Sequence, residues 1–430
     1  MRTPDFPLVP RPVPVLLLVP LLALTLVSCS SPGPAGGAVA DPPVVTPASV
    51  PPSIGDGHGT LEGSTEVAEP QLHLMTLDPQ GRIGLLDLAD GTTSDAGQVP
   101  DVSSTSTDGR YLFASSATGG ALTVVDSGMW TWDHEDHFHY YRGGSRTVGT
   151  VEGLGEAVVT SGTSATGVYF PDSGEATVLD NDALAKGELG VRAEFSVEPY
   201  PGMLVPLSDL TLLTRPGVGG AAASVQAYDA DGEPVEGATA DCIDALGTIT
   251  TSVGAVIGCD DGALLATLDG GDVAYERIPY PAGTDAARAT EFRAREGRPT
   301  VAAVAGDQGV WLLDTRERSW QLVRTDVPLL QASAVDDREG HVVALAEDGR
   351  VLVLSADSGA TLAATEPLLT ETLKNPALLA GVELIADQHR VYLNAPAEQQ
   401  LFEIDFADGA RIARTFDTDT VPAHLAEVGR

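Results

Sequence analysis

The sequence has few basic residues. Its 430 residues include 24 Lys and Arg against 61 Asp and Glu, so the formal charge is −37. Contacts to phosphate require clustered Lys and Arg, and this deficit excludes a general nucleic-acid binder. Direct binding to an anionic membrane surface is excluded for the same reason.

Aromatic residues are scarce, whereas residues that interrupt helices are plentiful. Only 5% of the chain is Phe, Trp or Tyr, but there are 47 Gly and 30 Pro. Because Gly and Pro disfavour helix interiors and mark turns, this composition excludes a coiled coil or a helical bundle. It favours an all-β, turn-rich architecture.

Long hydrophobic runs are missing except at the N-terminus. Arg2 and Arg11 precede an apolar run over 15–27, which has the length of a signal-peptide core and is too short for a membrane span. The run ends in Leu-Val-Ser-Cys29, which resembles the bacterial lipobox. We therefore predict a lipoprotein signal peptide over 1–28 and a lipid anchor at Cys29, with the mature chain on the extracytoplasmic side of the cell membrane. The alternative is a secretory signal that happens to end near a Cys.

Cysteine is also rare, with three in the chain. If Cys29 carries lipid, Cys242 and Cys259 remain in a compartment where disulfides persist. They flank a strand-like segment, so a disulfide between them is favoured over a pair of metal ligands.

A segment rich in Pro, Gly, Ser and Ala follows the lipobox. It covers 29–71 and has no large apolar cluster, so we expect a disordered stalk. His58 stands between glycines in it and is a candidate tail ligand for a metal. The alternative is an exposed loop histidine without a role.

From residue 72 to 430 the sequence repeats a short apolar strand after a turn, mostly about 45 residues apart. Eight copies begin near Leu72, Asp108, Thr166, Leu210, Val253, Gly297, Glu339 and Asp387. Most are followed by a second strand that ends in an acidic turn. This period predicts a β-propeller with seven or eight four-stranded blades. The first copy lacks its innermost strand, and we expect residues 421–430 to supply it and close the ring.

One segment interrupts the repeat and carries unusual chemistry. Residues 129–141 contain three of the eight histidines within six positions, together with three carboxylates and several aromatics. In an extended strand His137 and His139 point to the same side, and His134 is placed to add a third ligand from a turn. Asp133 and Asp136 are weaker candidates, either as ligands or as acceptors for an imidazole N–H.

Imidazole with carboxylate favours zinc as the bound metal, although copper and nickel bind such ligands as well. The alternative is an acidic loop whose histidines are merely exposed. The other histidines, at 73, 341, 389 and 424, are interpreted as structural.

The chain is not predicted to be an enzyme. The stretch His134-Glu135-Asp136-His137 is one residue short of the His-Glu-x-x-His motif of zinc proteases. No nucleophile elbow, phosphate-binding glycine loop or dinucleotide fingerprint is present in the sequence.

Several segments together resemble the AztD family of zinc metallochaperones. They are residues 133–141, 390–396, 403–409 and 424–430. The resemblance implies a β-propeller outside the cytoplasmic membrane that binds zinc and passes it to the solute-binding protein of a zinc ABC importer. It also implies a mobile N-terminal segment with a histidine, a place that His58 fills. The family has a His after the first paired cysteine, whereas Cys242 is followed in this chain by Ile243 and Asp244, so Asp244 would have to replace that ligand.

These features predict a monomeric, lipid-anchored zinc carrier that holds the metal through His134, His137 and His139 and releases it by ligand exchange. The alternative function is a surface-anchored propeller that recognises other proteins without metal transfer.

Overall fold

In the computed structural model, the strands lie in the unit Gly55–Arg430. The residues described are 59–116, 118, 120–133 and 137–430. The signal peptide, Cys29, His58, His134 and Asp136 lie outside them. Within the described ranges, no helix has the length and apolar character to cross a membrane.

The first four blades are antiparallel sheets of four strands each, which run in order from the innermost strand to the outermost. Blade 1 consists of β34 (His424–Val428), β2 (His73–Leu77), β3 (Arg82–Asp87) and β4 (Thr93–Gln98). Blade 2 consists of β5 (Val102–Thr107), β6 (Tyr111–Ser116), β7 (Ala121–Asp126) and β10 (Arg146–Glu152). Blade 3 consists of β11 (Val158–Ser161), β12 (Ala165–Phe170), β13 (Glu175–Asp180) and β14 (Val191–Ser196). Blade 4 consists of β15 (Leu204–Leu207), β16 (Leu210–Pro216), β17 (Ala222–Tyr228) and β18 (Pro234–Asp241).

Blades 5 to 8 complete the ring in the described part of the chain. Blade 5 consists of β19 (Thr248–Thr250), β20 (Ala255–Cys259), β21 (Gly262–Asp269) and β22 (Asp272–Pro279). Blade 6 consists of β23 (Thr300–Val304), β24 (Gly309–Asp314) and β25 (Ser319–Arg324). Blade 7 consists of β26 (Leu329–Ala334), β27 (His341–Ala346), β28 (Val351–Ser355) and β29 (Thr361–Ala364). Blade 8 consists of β30 (Leu384–Ala386), β31 (Val391–Ala395), β32 (Gln400–Asp405) and β33 (Arg411–Asp417).

The repeat seen in the sequence corresponds to the second strand of every blade. These strands are packed on both faces, so they read as nearly continuous apolar runs, and β12, β20 and β31 are buried along their whole length. The outermost strands face solvent and are mostly exposed, as in β4. The prediction of a β-propeller is confirmed, and the structure has eight blades.

Blade 6 departs from the four-stranded expectation. Its innermost position is reduced to a single bridge between Arg293 and Ala302, and Ala294 bridges to Ala334 in blade 7. The segment before it contains Pro281, Gly283 and several polar residues, which do not favour a strand.

The closing strand is where the sequence places it. Strand β34 pairs antiparallel with β2, His73 opposite Val428 and Leu77 opposite His424. Leu425, Ala426 and Val428 are buried there. Strand β34 therefore completes the first blade and covers the inner edge of β2.

A disulfide joins two neighbouring blades. Cys242, just after β18, and Cys259, at the end of β20, are bonded with their Cα atoms 5.1 Å apart, and both are fully buried. The expected Cys242–Cys259 bridge is thus present. Helical structure in the described residues is limited to α1 (Asn181–Ala185), α2 (Pro376–Leu379) and two single 3-10 turns, 306–308 and 372–374.

A ninth, smaller sheet is inserted between the third and fourth strands of blade 2. It is a hairpin of β8 (Met129–Asp133) and β9 (Phe138–Arg142), with β1 (Thr65–Val67) paired to the outer edge of β9. We call these three strands the hairpin sheet. The domain boundary expected at residue 72 therefore differs from the structure, because residues 65–67 form a strand. The inserted hairpin provides an unpaired edge, and this short polar segment pairs with it.

The ring has two faces, and the hairpin sheet lies on one of them. Strand direction alternates within a blade, so the turns from first to second strand and from third to fourth strand lie on the same face. We call this the upper face. It includes the turns 108–110, 337–340 and 387–390, and the hairpin sheet also leaves blade 2 on this side.

Candidate metal site

The base of the hairpin sheet is fixed by aromatic and charged contacts. Trp130 and Tyr141 are buried and stack with their ring centroids 5.2 Å apart. The Arg110 guanidinium lies 4.1 Å from the centre of the Trp130 ring and is paired with Asp126 at 2.9 Å. Gly128, at φ 79°, begins the insertion where a Cβ would clash with the backbone of Gly144.

The hairpin sheet is also bonded to the closing strand of the ring. The Thr131 amide donates to the Arg430 carbonyl at 3.1 Å, and the Thr131 hydroxyl donates to the Gly429 carbonyl at 3.1 Å. The Gly429 amide in turn donates to the Gly109 carbonyl at 2.6 Å. These bonds place the hairpin sheet over blades 1 and 2.

Two of the predicted ligands meet at the tip of the hairpin. The rings of His137 and His139 lie with centroids 4.7 Å apart, His137 exposed and His139 partly buried. Asp133 lies at the end of β8, opposite Phe138, and is exposed. His134 and Asp136 lie between β8 and β9 in the sequence, outside the described residues. The structure therefore brings His137 and His139 together, as the alternation along a strand requires, and metal binding by this set stays a prediction.

A carboxylate that the sequence did not reveal joins this pair. Glu66 Oε1 lies 2.7 Å from His139 Nδ1. Strand β1 places it there by pairing with β9, Glu66 opposite Tyr141 and Val67 opposite Tyr140. No local signal marks Glu66, because it lies in a polar segment and its partner is more than 70 residues away in the sequence.

The chain just after His58 lies against the same hairpin. The Trp130 indole N–H donates to the Gly59 carbonyl at 3.2 Å, and Thr60 and Tyr141 share a hydroxyl contact at 3.4 Å. Gly59 packs directly on the Trp132 ring. Gly59 and Thr60 follow His58 in the sequence, and His58 itself lies outside the described residues.

Two of the remaining histidines are structural. His73 is buried in blade 1 and lies 2.9 Å from the Gln71 carbonyl and 3.5 Å from Asp87. His424 lies in the closing strand, where removal from water lowers the pKa of its imidazole. His389 is exposed on a blade 8 turn.

His341 belongs to a second cluster that sequence reasoning missed. Within the part of the chain that the structure describes, a group of three potential ligands with donor atoms all within 4.8 Å of one another is formed by Asp337, Glu339 and His341. The spacing of two, Asp-x-Glu-x-His, was the available signal in the sequence.

The upper face holds two carboxylates with raised pKa values, in blades 1 and 2. Removal from water raises the pKa of Asp108 to about 6. Hydrogen bonds that its carboxylate accepts from the amides of Arg110 and Tyr111 lower the pKa but do not offset this rise. Burial likewise raises the pKa of Glu427, opposed by its ion pair with Arg430. This face therefore carries carboxylates that are costly to ionise.

Comparison with known proteins shows the fold. No family model matches the sequence, and no curated protein is similar to it at the level of sequence. The structure of apo AztD from Citrobacter koseri is similar, with a TM-score of 0.72, 18% sequence identity and coverage of 84% of this chain and 98% of that one. A crystal structure of Citrobacter koseri AztD is similar as well, with a TM-score of 0.71 and 18% sequence identity. The match covers 84% of this chain and 99% of that one.

The structure of the dihydro-heme d1 dehydrogenase NirN is less similar, with a TM-score of 0.51 and 13% sequence identity. The match covers 86% of this chain and 80% of that one. The resemblance to AztD found in the sequence is thus confirmed in the architecture. Because a dehydrogenase shares the broad fold, the function has to be argued from the side chains.

Proposed function

We propose that this protein is an extracytoplasmic zinc-binding metallochaperone that delivers zinc to the solute-binding protein of a zinc ABC importer. The observation that supports this most is the approach of His137 and His139 to 4.7 Å at the tip of a hairpin that projects from a closed ring. The similarity of the fold to AztD supports it independently.

The hairpin is not needed to build the ring. Blade 2 has its four strands, β5, β6, β7 and β10, without it. The tip also buries little, since Phe138 is 55% exposed and His137 is exposed as well. A segment that the fold does not need and that gathers imidazoles at its end is better explained by ligand binding than by packing.

The donor set suits zinc. Two imidazoles and nearby carboxylates are borderline donors of the kind that tetrahedral zinc sites use. Glu66 engages Nδ1 of His139, so this ring would present Nε2 to the metal with its orientation fixed by the carboxylate. His134, Asp133 and Asp136 are the candidates that complete the set, and His58 is a candidate ligand from the tail.

Exposure of the tip explains how metal would leave. An acceptor can approach His137 from solvent and replace one ligand at a time, so zinc need not become free in solution. His139 is held by Glu66 and would be released last. The ring then serves as a rigid base that presents the hairpin to the acceptor.

The cellular context completes the proposal. A signal peptide over 1–28 and lipid at Cys29 would hold the protein, as a monomer, on the extracytoplasmic side of the cell membrane, where an importer collects its substrate. Mass spectrometry of the native protein tests this directly: a diacylglyceryl group on Cys29 is expected, and a mature chain without lipid would contradict it.

The binding test compares matched histidine variants of the mature protein. After removal of metal and titration with zinc, the His137→Ala/His139→Ala variant should bind one zinc equivalent fewer than the wild type. His389→Ala is the control, because it removes an exposed histidine from the ring. Equal stoichiometry in the double variant and the wild type would refute the hairpin site, and the same titration with copper and nickel compares the metals.

The transfer test uses the zinc-loaded protein and a metal-free solute-binding protein of a zinc ABC importer. Transfer by ligand exchange should speed up as acceptor concentration rises and should exceed the rate of zinc loss to a chelator such as EDTA at low concentration. If zinc reaches the acceptor only at the rate of spontaneous dissociation, the delivery function is wrong, and the propeller is better described as a protein-interaction module.

A further inference from the structure

We infer that a second divalent-metal site, separate from the hairpin sheet, is formed by Asp337, Glu339 and His341 on the upper face of blade 7. The donor atoms of these three side chains lie within 4.8 Å of one another. They come from one turn, between β26 and β27, in which every second residue supplies a ligand. One imidazole with two carboxylates is a donor set that suits zinc and related first-row metals.

Two of the three donors are already held in place. The His341 amide donates to Asp337 Oδ1 at 2.8 Å, and His341 Nδ1 lies 2.5 Å from Asp337 Oδ2. The Phe406 ring from blade 8 packs against the imidazole at 5.4 Å. The two side chains are 17% and 12% exposed, so neither is a mobile surface group. A metal ion would take the place of the proton that these two side chains share, and the proton would pass to solvent.

The third donor and the open positions face a cavity. Glu339 is exposed and lies with Asp337 on the wall of a cavity of 640 Å³ between blades 6, 7 and 8. Gln388 and His389 also line this cavity. An ion bound by the three ligands would therefore keep a coordination position open to water or to an incoming ligand, as exchangeable zinc sites do.

Two of the four arginines that line the cavity are paired with carboxylates outside the three proposed ligands. Arg298 is paired with Asp336 at 3.0 Å, and Arg390 is paired with Glu403 and Asp405, each at 3.1 Å. Arg295 also lines the cavity and has no ion pair among those resolved in the described residues. A cation next to Arg295 would favour an anionic fourth ligand, such as chloride or a carboxylate of another protein.

Both metal sites open on the same face of the ring. The Asp337 turn joins the first and second strands of blade 7, and the hairpin sheet joins the third and fourth strands of blade 2. Turns of these two kinds share a face. Both kinds line this cavity, because Gln388 lies in the turn between the first and second strands of blade 8 and Ala407 in the turn between its third and fourth strands. A partner that docks on the upper face would meet two loaded sites.

The test is zinc stoichiometry of the purified mature protein, measured by elemental analysis and by titration calorimetry. The wild type should bind one zinc more than His341→Ala. Glu339→Ala should weaken the same site by at least about the 10- to 100-fold that removal of a ligand's hydrogen-bond partner costs. Glu347→Ala removes an exposed carboxylate from the turn between β27 and β28, on the other face of the ring, and should leave this site unchanged.

Two further arms separate this site from the hairpin. The His137→Ala/His139→Ala variant should retain one zinc, which Glu339→Ala added to that background should weaken. Because Glu339 is exposed, its variant folds normally even if His341→Ala does not. Unchanged zinc binding in both triad variants would overturn the second site while leaving the hairpin site intact, and complete loss of zinc in the hairpin variant would overturn it as well.

Discussion

The ring and the hairpin sheet are both antiparallel β-structure, but they are stabilised differently. In the ring, second and third strands are buried between neighbouring blades, as in β12 and β28. In the hairpin sheet only the base is buried, at Met129, Trp130 and Tyr141, whereas β1 and the tip are largely exposed. Regular burial specifies the scaffold, and the exposed insertion leaves side chains available for binding. The ring should therefore respond to substitution through its stability, and the tip through its ligand affinity.

The largest contrast is expected from removal of residues 421–430. Each of the buried Leu425 and Val428 side chains contributes roughly 1.5–3 kcal/mol, and the inner edge of β2 would also be exposed. That loss approaches the roughly 5–15 kcal/mol that stabilises a typical domain. Thermal unfolding followed by circular dichroism should lose its cooperative transition.

Phe138→Ser, at the exposed hairpin tip, is the matched control for the truncation. It should change the free energy of unfolding by no more than the roughly 0.5 kcal/mol typical of surface substitutions. A cooperative transition in the truncated protein would show that blade 1 does not depend on β34.

The next effect is expected at the disulfide. Cys242→Ala/Cys259→Ala opens a link between residues 17 apart, which costs about 3 kcal/mol. Chemical denaturation should show the lower stability, and reduction of the wild type should reproduce it. Zinc binding at the hairpin should not change, because the hairpin sheet is bonded to blades 1 and 2 and the disulfide joins blades 4 and 5. A loss of zinc affinity in this variant would show that binding at the hairpin depends on the stability of the ring.

Substitution of Glu66 tests whether its carboxylate positions His139 for metal binding. Glu66→Gln keeps a carbonyl that accepts from His139 Nδ1 but removes the charge, and Glu66→Ala removes the acceptor. Zinc affinity, measured by competition with a chelator, should fall by about 10- to 100-fold for Ala and by less for Gln. The melting temperature of the metal-free protein should stay the same in both. Equal affinity in Glu66→Ala and the wild type would mean that Glu66 does not position His139.

The smallest effect is expected at Asp108. Its pKa is raised from 3.8 to about 6. Between pH 3.8 and pH 6 the folded state therefore holds a proton that the unfolded state has lost. The contribution of this group to the free energy of unfolding therefore falls as pH rises through that window.

Asp108→Asn retains the acceptor for the two backbone amides and removes the charge. We expect it to be more stable than the wild type by about 1 kcal/mol at pH 7.5 and to lose this advantage near pH 4. Chemical denaturation at the two pH values measures the difference. A variant that is less stable than the wild type at pH 7.5 would contradict the raised pKa.

The sequence predicted the parts of the molecule that repeat. Second strands such as β27 and β31 are apolar because blades cover both of their faces, and this leaves a period along the chain. The closing strand and the proximity of His137 to His139 also follow from local sequence patterns. The disulfide follows from the number of cysteines that remain once Cys29 is assigned to lipid.

Contacts between distant segments were not predictable in this way. Strand β1 has three polar or half-buried residues and forms only because β9 offers an edge, so neither the strand nor the contact of Glu66 with His139 has a local signal. The reduced inner strand of blade 6 depends on a bridge to Ala302. In the 337–341 turn, acidic residues are common for solubility, and only their convergence on His341 in space distinguishes them.

The attachment of β1 has a mechanical consequence. The described chain begins at Gly59 along the hairpin, held by Trp130, Trp132 and three residue pairings of β1 with β9. Tension applied at the N-terminus would be borne first by these few bonds, which include the strand that carries Glu66, and not by any blade. A protein tethered by that end would transmit load to the tip that carries His137 and His139 well before the ring began to give way.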